Sequence, residues 1–239
     1  MVVAAASLVA EHVAGHIPFT YERSIAAHFA GAMTTDNPAV QNRLQQLADQ
    51  LSSVMSLPGG MSVEVHYLDE DRVNAFATLG GHILVYRGLI EATPNENALA
   101  MVLAHEIAHV KHRDPIVALG RTAIIGTALS ALAGVNGGDL AGRLLGDAGL
   151  LTSLHFNRAQ ESAADEEALA AVERHYGHVA GATAIFEHFL AEEHSGSLRV
   201  PEFFSTHPAS RRRIDRLHEE ALAHHWSEQG AITALPAGW

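Results

Sequence analysis

The sequence predicts a mostly helical α+β domain in which a small sheet packs against one central helix. Three observations lead there. Most of the chain places apolar residues at helical spacing. Residues 62–86 instead carry short apolar runs, the first alternating with a period of two, separated by turn residues. Residues 93–114, Thr-Pro-Asn-Glu-Asn-Ala-Leu-Ala-Met-Val-Leu-Ala-His-Glu-Ile-Ala-His-Val-Lys-His-Arg-Asp, follow these strands as a well-marked helix.

Taken in order, residues 1–15 lack a basic start, and Glu11 ends their apolar run after about ten residues, too few to span a bilayer. They read either as the remains of a region following a membrane anchor or as an amphipathic helix packed on the domain. Residues 21–56 form two scaffold helices, the second opened by Asn37-Pro38 and patterned by Val40, Leu44, Leu47, Leu51 and Val54. Residues 1–57 thus make an N-terminal helical segment packed on the core. Pro58-Gly59-Gly60 breaks the chain, and Ser62 to Leu68 alternates as a half-buried strand. Further strands are expected at Asn74-Ala75-Phe76-Ala77 and at 82–86, joined by a turn at Gly80-Gly81. His66 and His82 are expected to be exposed strand histidines without a role.

The central helix is expected to start with Thr93 as N-cap, Pro94 in the first position and Glu96 closing a capping box. It carries His105-Glu106-x-x-His109. Histidines four apart on one face bring both imidazoles to a single Zn²⁺ and leave Glu106 beside the open coordination position. With 17 histidines in the chain, such a match arises by chance with a probability of roughly one in ten, so its context must carry the reading. A catalytic zinc needs a third protein ligand. The metzincin pattern would put a histidine at 115, where the chain has Pro115, which excludes that class. The candidate is Glu161, in a Glu-x-x-x-Asp pair that taken alone also reads as a solvated acidic face. Asp165, one turn later on the same face, can orient a ligating imidazole, and Ala163-Ala164 is small enough to let two helices approach. His112 lies near the same face as His105, but its spacing fits no zinc triad, and it is assigned either a structural role or one supporting a ligand from behind.

Residues 116–154 are largely apolar and contain an uncharged run of about sixteen residues, short of a bilayer span. They read as a buried helical hairpin or as a segment that dips into a membrane surface, with Leu144, Leu145, Leu150 and Leu151 on its second arm. Residues 179–193 form another amphipathic helix, with Ile185, Phe186, Phe189 and Leu190 turned inward. A loop then reaches His207, and a basic helix is expected from Pro208 through Arg211, Arg212 and Arg213. Residues 58–225 form the principal domain, and 226–239 a tail with no assignable chemistry.

His105-Glu106-Ile107-Ala108-His109, Glu161-Ser-Ala-Ala-Asp165, Asn74-Ala75-Phe76-Ala77 with Gly80-Gly81, and Ser205-Thr206-His207-Pro208 with Arg213-Ile214 occur in one order. This set resembles metallopeptidase family 48, which includes HtpX-like membrane proteases and CAAX prenyl-protein proteases, over about residues 60–220. Asp114 departs from it, since many relatives have a histidine there that is not a ligand. The resemblance implies a zincin-like metalloprotease fold and zinc-dependent peptide hydrolysis, with His105, His109 and Glu161 as ligands and Glu106 as base. It implies that His207 either stabilises the oxyanion or binds the zinc in a resting state, and that Arg213 either anchors the His207 loop or touches substrate. Asn74, Ala75 and Phe76 would line the cleft beside an extended substrate, or else form a plain hairpin. Asp165 is expected to orient His105. The resemblance further implies action at a membrane or cell envelope, in protein quality control, on protein or peptide substrates. A non-proteolytic or self-inhibited binding protein on the same fold is the alternative.

Composition narrows the classes. A net charge of −12 argues against a nucleic-acid partner, and the absence of cysteine removes disulfides, thiolate ligands and thiol nucleophiles.

Overall fold

A computed structural model describes residues 9, 12, 13, 16–27, 37–132, 155–194, 202–207 and 210–236. Helix α1 (Phe19–Ala26) precedes α2 (Pro38–Met55), where Asn37 caps the first turn by accepting the Val40 N–H and Pro38 needs no partner. Val40, Leu44, Leu47, Ala48, Leu51 and Met55 fall three or four apart, and this face lies in the same core as the central helix. The opposite ends of Gln41 and Gln45 reach strand β1 (Glu64–Leu68), accepting N–H bonds from Tyr67 and Val65 at 2.7 and 2.8 Å. Those amides cover the outer edge of the sheet, which would otherwise expose unpaired backbone.

The sheet is mixed. Its order is β1, β3 (His82–Tyr86), β2 (Ala75–Ala77), with β1 parallel and β2 antiparallel to the central strand. Val65, Tyr67, Ala75, Ala77, Ile83 and Val85 enter the main core, while Phe76, Leu84 and Tyr86 form a separate cluster on the other face. Because both faces are covered, His66 and His82 are not the exposed residues expected: their side chains are only 10% and 15% exposed.

Helix α3 (Arg87–Ala92) leads into the central helix α4 (Glu96–His112). The expected cap is corrected. Thr93 ends α3, its hydroxyl donating to the Leu89 carbonyl, and Asn95 caps α4 by accepting the Ala98 N–H at 2.9 Å. Every residue of α4 from Asn97 to Val110 is buried, so this helix is the axis of the domain. Helix α5 (Asp114–Leu132) starts after Arg113, which ends α4 in the left-handed region at φ 63°. Ile116, Val117 and Leu119 of α5 pack with Leu79 and Ala26. The second arm expected at 140–154 lies outside the described residues, as does nearly all of the N-terminal 15. Among the described residues, no helix is long and apolar enough to cross a membrane.

Helix α6 (Arg158–Tyr176) opens with a capping box in which Asn157 and Gln160 satisfy each other's backbone N–H groups. It packs along α4, both helices burying alanines at helical spacing: Ala100, Ala104 and Ala108 on α4, Ala164, Ala168 and Ala171 on α6. Of the Ala163-Ala164 pair only Ala164 is buried. Helices α7 (Ala184–His194), α8 (Glu202–Thr206) and α9 (Arg211–Ala223) close the far side. Helix α9 starts at Arg211 under a Ser210 cap, three residues later than expected from Pro208. The tail straps the start of α4: the Glu96 N–H donates to the Thr233 carbonyl, and the Thr233 N–H to Asn97 Oδ1, both at 2.9 Å.

The turn joining β2 to β3 is a 3-10 turn at Leu79–Gly81, with Gly81 at φ +87°. A Cβ on Gly81 would collide with the Ser62 carbonyl oxygen. Gly81→Ala is therefore expected to cost about 3 kcal/mol and lower Tm by roughly 10 °C in thermal melts. Gly60→Ala, at φ +83° with no neighbour within 4 Å, should cost only about 1 kcal/mol.

Candidate active site

Helix α4 presents His105 and His109 one turn apart and fully buried, with Nε2 atoms 3.0 Å from each other. From α6, Glu161 brings Oε2 to 3.5 Å from His105 Nε2 and Oε1 to 3.4 Å from His109 Nε2. His207, following α8, adds Nδ1 at 3.2 Å from His105 Nε2 and 2.9 Å from Glu161 Oε1. Four donor groups thus converge on one point from three segments of chain. Phe156 and Phe203 wall the cluster, their rings 4.1 Å from His109 and 5.0 Å from His207 respectively.

Both α4 histidines are oriented from behind. Asp165 Oδ1 lies 3.0 Å from His105 Nδ1, and Asp114 Oδ2 lies 2.7 Å from His109 Nδ1. A carboxylate accepts only, so each Nδ1 carries the proton and each Nε2 lone pair points into the cluster. The Asp114 role was invisible in the sequence, where this residue read only as a departure from the relatives' histidine. The turn at Arg113 folds the start of α5 back beside His109, and Gln160 holds the other Asp114 oxygen at 2.6 Å. A carboxylate five residues after a ligand-type histidine, across a helix break, is the signal that could have found it.

Asp165 is itself clamped. Arg213 donates through Nε and a terminal nitrogen, at 2.6–3.0 Å, and Arg216 donates to the second oxygen. Another Arg213 nitrogen donates to the His207 carbonyl at 3.1 Å, so the guanidinium bridges Asp165 and the His207 loop. His112 lies outside the cluster, paired with Glu167 at 2.7 Å. Arg211 and Arg212 are exposed.

Glu106 is fully buried and its two oxygens differ. Oε2 accepts the Ala77 N–H at 2.7 Å, whereas Oε1 has no hydrogen-bond partner among the described residues and lies 3.6 Å from His207 Nε2. Asn74, directly before the edge strand β2, and Ala75 and Phe76 within it are buried. Asn74 O accepts the Tyr86 N–H and Thr78 N–H donates to His82 O, so residues 74, 76 and 78 face β3 while Ala75 and Ala77 direct backbone groups outward.

Convergent imidazole lone pairs and carboxylate oxygens repel one another unless a cation or protons lie among them. The titration behaviour expresses this. Burial lowers the His109 pKa, but bonds to Asp114 and Glu161 outweigh it and raise it to about 9. His105 is raised likewise by Asp165 and Glu161 against burial. Glu161 is driven far below the carboxylate range by the three histidines despite its burial. His207 is lowered, burial dominating over Glu106 and Glu161. The donor set of three imidazoles and a carboxylate, with Glu161 Oε2 also lacking a hydrogen-bond partner, fits a zinc ion.

Arg213→Ala would leave the buried Asp165 carboxylate with only His105 and the half-exposed Arg216. The expected loss of stability is about 3 kcal/mol in denaturant melts at neutral pH. Burial raises the Asp165 pKa, but Arg213 and His105 bring it down to about 2 from 3.8. A depressed folded-state pKa stabilises fully above 3.8 and loses that contribution as pH falls through about 2. Acid titrations should accordingly show Arg213→Ala unfolding at higher pH than the parent.

A family model described as Peptidase family M48 matches residues 37–221. Mitochondrial metalloendopeptidase OMA1 of Schizosaccharomyces pombe is 33% identical over 164 residues, 65% of this chain and 46% of that protein. The beta-barrel assembly-enhancing protease of Yersinia pestis is 29% identical over 168 residues, 65% of this chain and 34% of that protein. A protease HtpX homolog of Salinibacter ruber is 30% identical over 235 residues, 86% and 83% of the two chains. The chain spans less than half the length of the first two relatives. The matched span takes in α2, the sheet, α4, α6 and α9, and so every residue of the buried cluster; the chain belongs to peptidase family M48.

Proposed function

We propose that this chain is a zinc-dependent metalloendopeptidase, acting on proteins at a membrane or cell envelope in quality control. The observation that carries the chemistry is the buried convergence of His105, His109 and Glu161 beside an unpartnered Glu106 oxygen. These three residues would hold one Zn²⁺ per chain, with Asp165, Asp114 and Arg213 fixing the imidazoles and Glu161. Bound there, zinc supplies Lewis acidity, polarising the scissile carbonyl and lowering the pKa of a water toward ~7. Glu106 takes the proton from the attacking water with Oε1, because Oε2 is committed to the Ala77 N–H, and later delivers it to the leaving nitrogen. The outward backbone of Ala75 and the Ala77 carbonyl pair with an extended substrate, so that the Asn74-Ala75-Phe76 strand sets its direction. The place of action rests on family resemblance and on relatives named as mitochondrial and as beta-barrel assembly-enhancing.

The position of His207 favours one further reading. Its Nδ1 falls among the ligand atoms, which suits a fourth ligand that closes the site at rest. For hydrolysis it withdraws and donates to the developing oxyanion. A chain in which it never withdrew would be the self-inhibited binding protein.

Zinc content and casein hydrolysis test both. The parent and Glu106→Gln should each hold one tightly bound zinc, with hydrolysis about 10³-fold lower in Glu106→Gln. Glu161→Ala should lose the metal. Zinc without hydrolysis in the parent, restored by His207→Ala, would establish self-inhibition, and absence of zinc would overturn the proposal. Asp114→Ala should retain zinc but release it to a chelator with roughly 10–100-fold weaker affinity, measured by competition titration.

A further inference from the structure

A second group of metal-binding side chains lies on the sheet, outside the cluster described above. Glu64 and His66 are two apart on β1 and share a face, and the parallel register sets His82 of β3 opposite Glu64. His66 Nε2 and His82 Nδ1 are 2.8 Å apart, and Glu64 brings one oxygen to 3.9 Å from the first and the other to 3.7 Å from the second. The same two ring nitrogens face both each other and the carboxylate.

We propose that Glu64, His66 and His82 form a second binding site for a divalent transition-metal ion of the zinc class, tying β1 to the β2–β3 hairpin. The proposal is independent of the peptidase reading. The first cluster provides the scale, since its His105, His109 and Glu161 donors are 3.0, 3.4 and 3.5 Å apart. Tetrahedral zinc with bonds near 2.1 Å sets its donors about 3.3–3.4 Å apart. The imidazoles of the second group would open by about half an ångström, and the carboxylate would close by a similar amount. Closing is easy for Glu64, whose side chain is 62% exposed, and this exposed side also gives the ion its way in and a position for water.

At 2.8 Å one imidazole donates to the lone pair of the other, so at least one is neutral and ligating. Arg23 of α1 places a positive charge whose field reaches His82. Arg23 also makes the site weaker for a cation than one without it. With three donors, one of them exposed, it should fill at higher free zinc than the buried first site.

The test is zinc stoichiometry under buffered free zinc, raised from nanomolar to micromolar, in the parent and in His66→Ala, His82→Ala and Glu64→Ala. Equilibrium dialysis followed by elemental analysis gives the count, and far-UV circular dichroism melts report folding. The expected result is one zinc fewer per chain in each histidine variant at micromolar zinc. A rise in parent Tm over the same range should be lost in those variants. Glu64→Ala, a surface change that leaves the fold intact, should weaken the second zinc at least tenfold. Equal zinc counts in parent and variants would overturn the proposal, assigning any extra ion to surface histidines such as the His12–His16 pair, whose rings lie 5.0 Å apart.

Discussion

The site depends on one buried carboxylate. Asp165 has no exposed surface, and a charge so placed costs several kcal/mol unless it is fully paired. Its partners come from two other helices: His105 on α4, and Arg213 and Arg216 on α9. Since Arg213 also holds the His207 carbonyl, the position of Asp165 on α6 fixes the donors that reach the cluster from α4 and from the His207 loop. Geometry that loops alone would leave loose is set by satisfying a single charge. The close alanine contact between α4 and α6 allows this, because a bulkier interface would move Asp165 out of reach of Nδ1.

A second constraint joins the sheet to the cluster. Glu106 cannot be solvated at zero exposure, and among the described residues the one hydrogen bond to its carboxylate is from the Ala77 N–H on the edge strand. That bond makes the two oxygens inequivalent and aims the unpaired one at the histidines. It also uses the one outward N–H at that end of β2, leaving the Ala77 carbonyl and the Ala75 backbone for an extended chain. The opposite edge is closed by Gln41 and Gln45, so the sheet has one usable edge, and it is the one beside Glu106.

What the sequence made legible was local. His105, Glu106 and His109 share one helix, and Glu161 and Asp165 another, so a period of 3.6 suffices to align them. Asp114 and Gln160 act on His109 only because the left-handed residue Arg113 turns α5 back, and no periodicity encodes that. Thr93 looked like a cap because its spacing to Glu96 is right, but α3 ends there and takes its hydroxyl first. His66 and His82 were read as exposed because alternation tells which residues share a face, not whether that face is covered or which strand lies alongside. The parallel pairing of β1 with β3, across an intervening strand, is a long-range choice.

The main cluster is unbalanced in charge. Glu106, Glu161, Asp114 and Asp165 are four carboxylates within one buried region, and Arg213 and Arg216 are the guanidinium groups that face it. With neutral imidazoles the region is short of two positive charges, which is the charge of one divalent ion. Protons on the histidines can stand in for that charge, and the neighbouring carboxylates raise His105 and His109 although burial alone would lower them. Metal and protons would therefore compete for the same Nε2 lone pairs, and a divalent ion of the kind proposed would meet all the donors at once where each proton meets one.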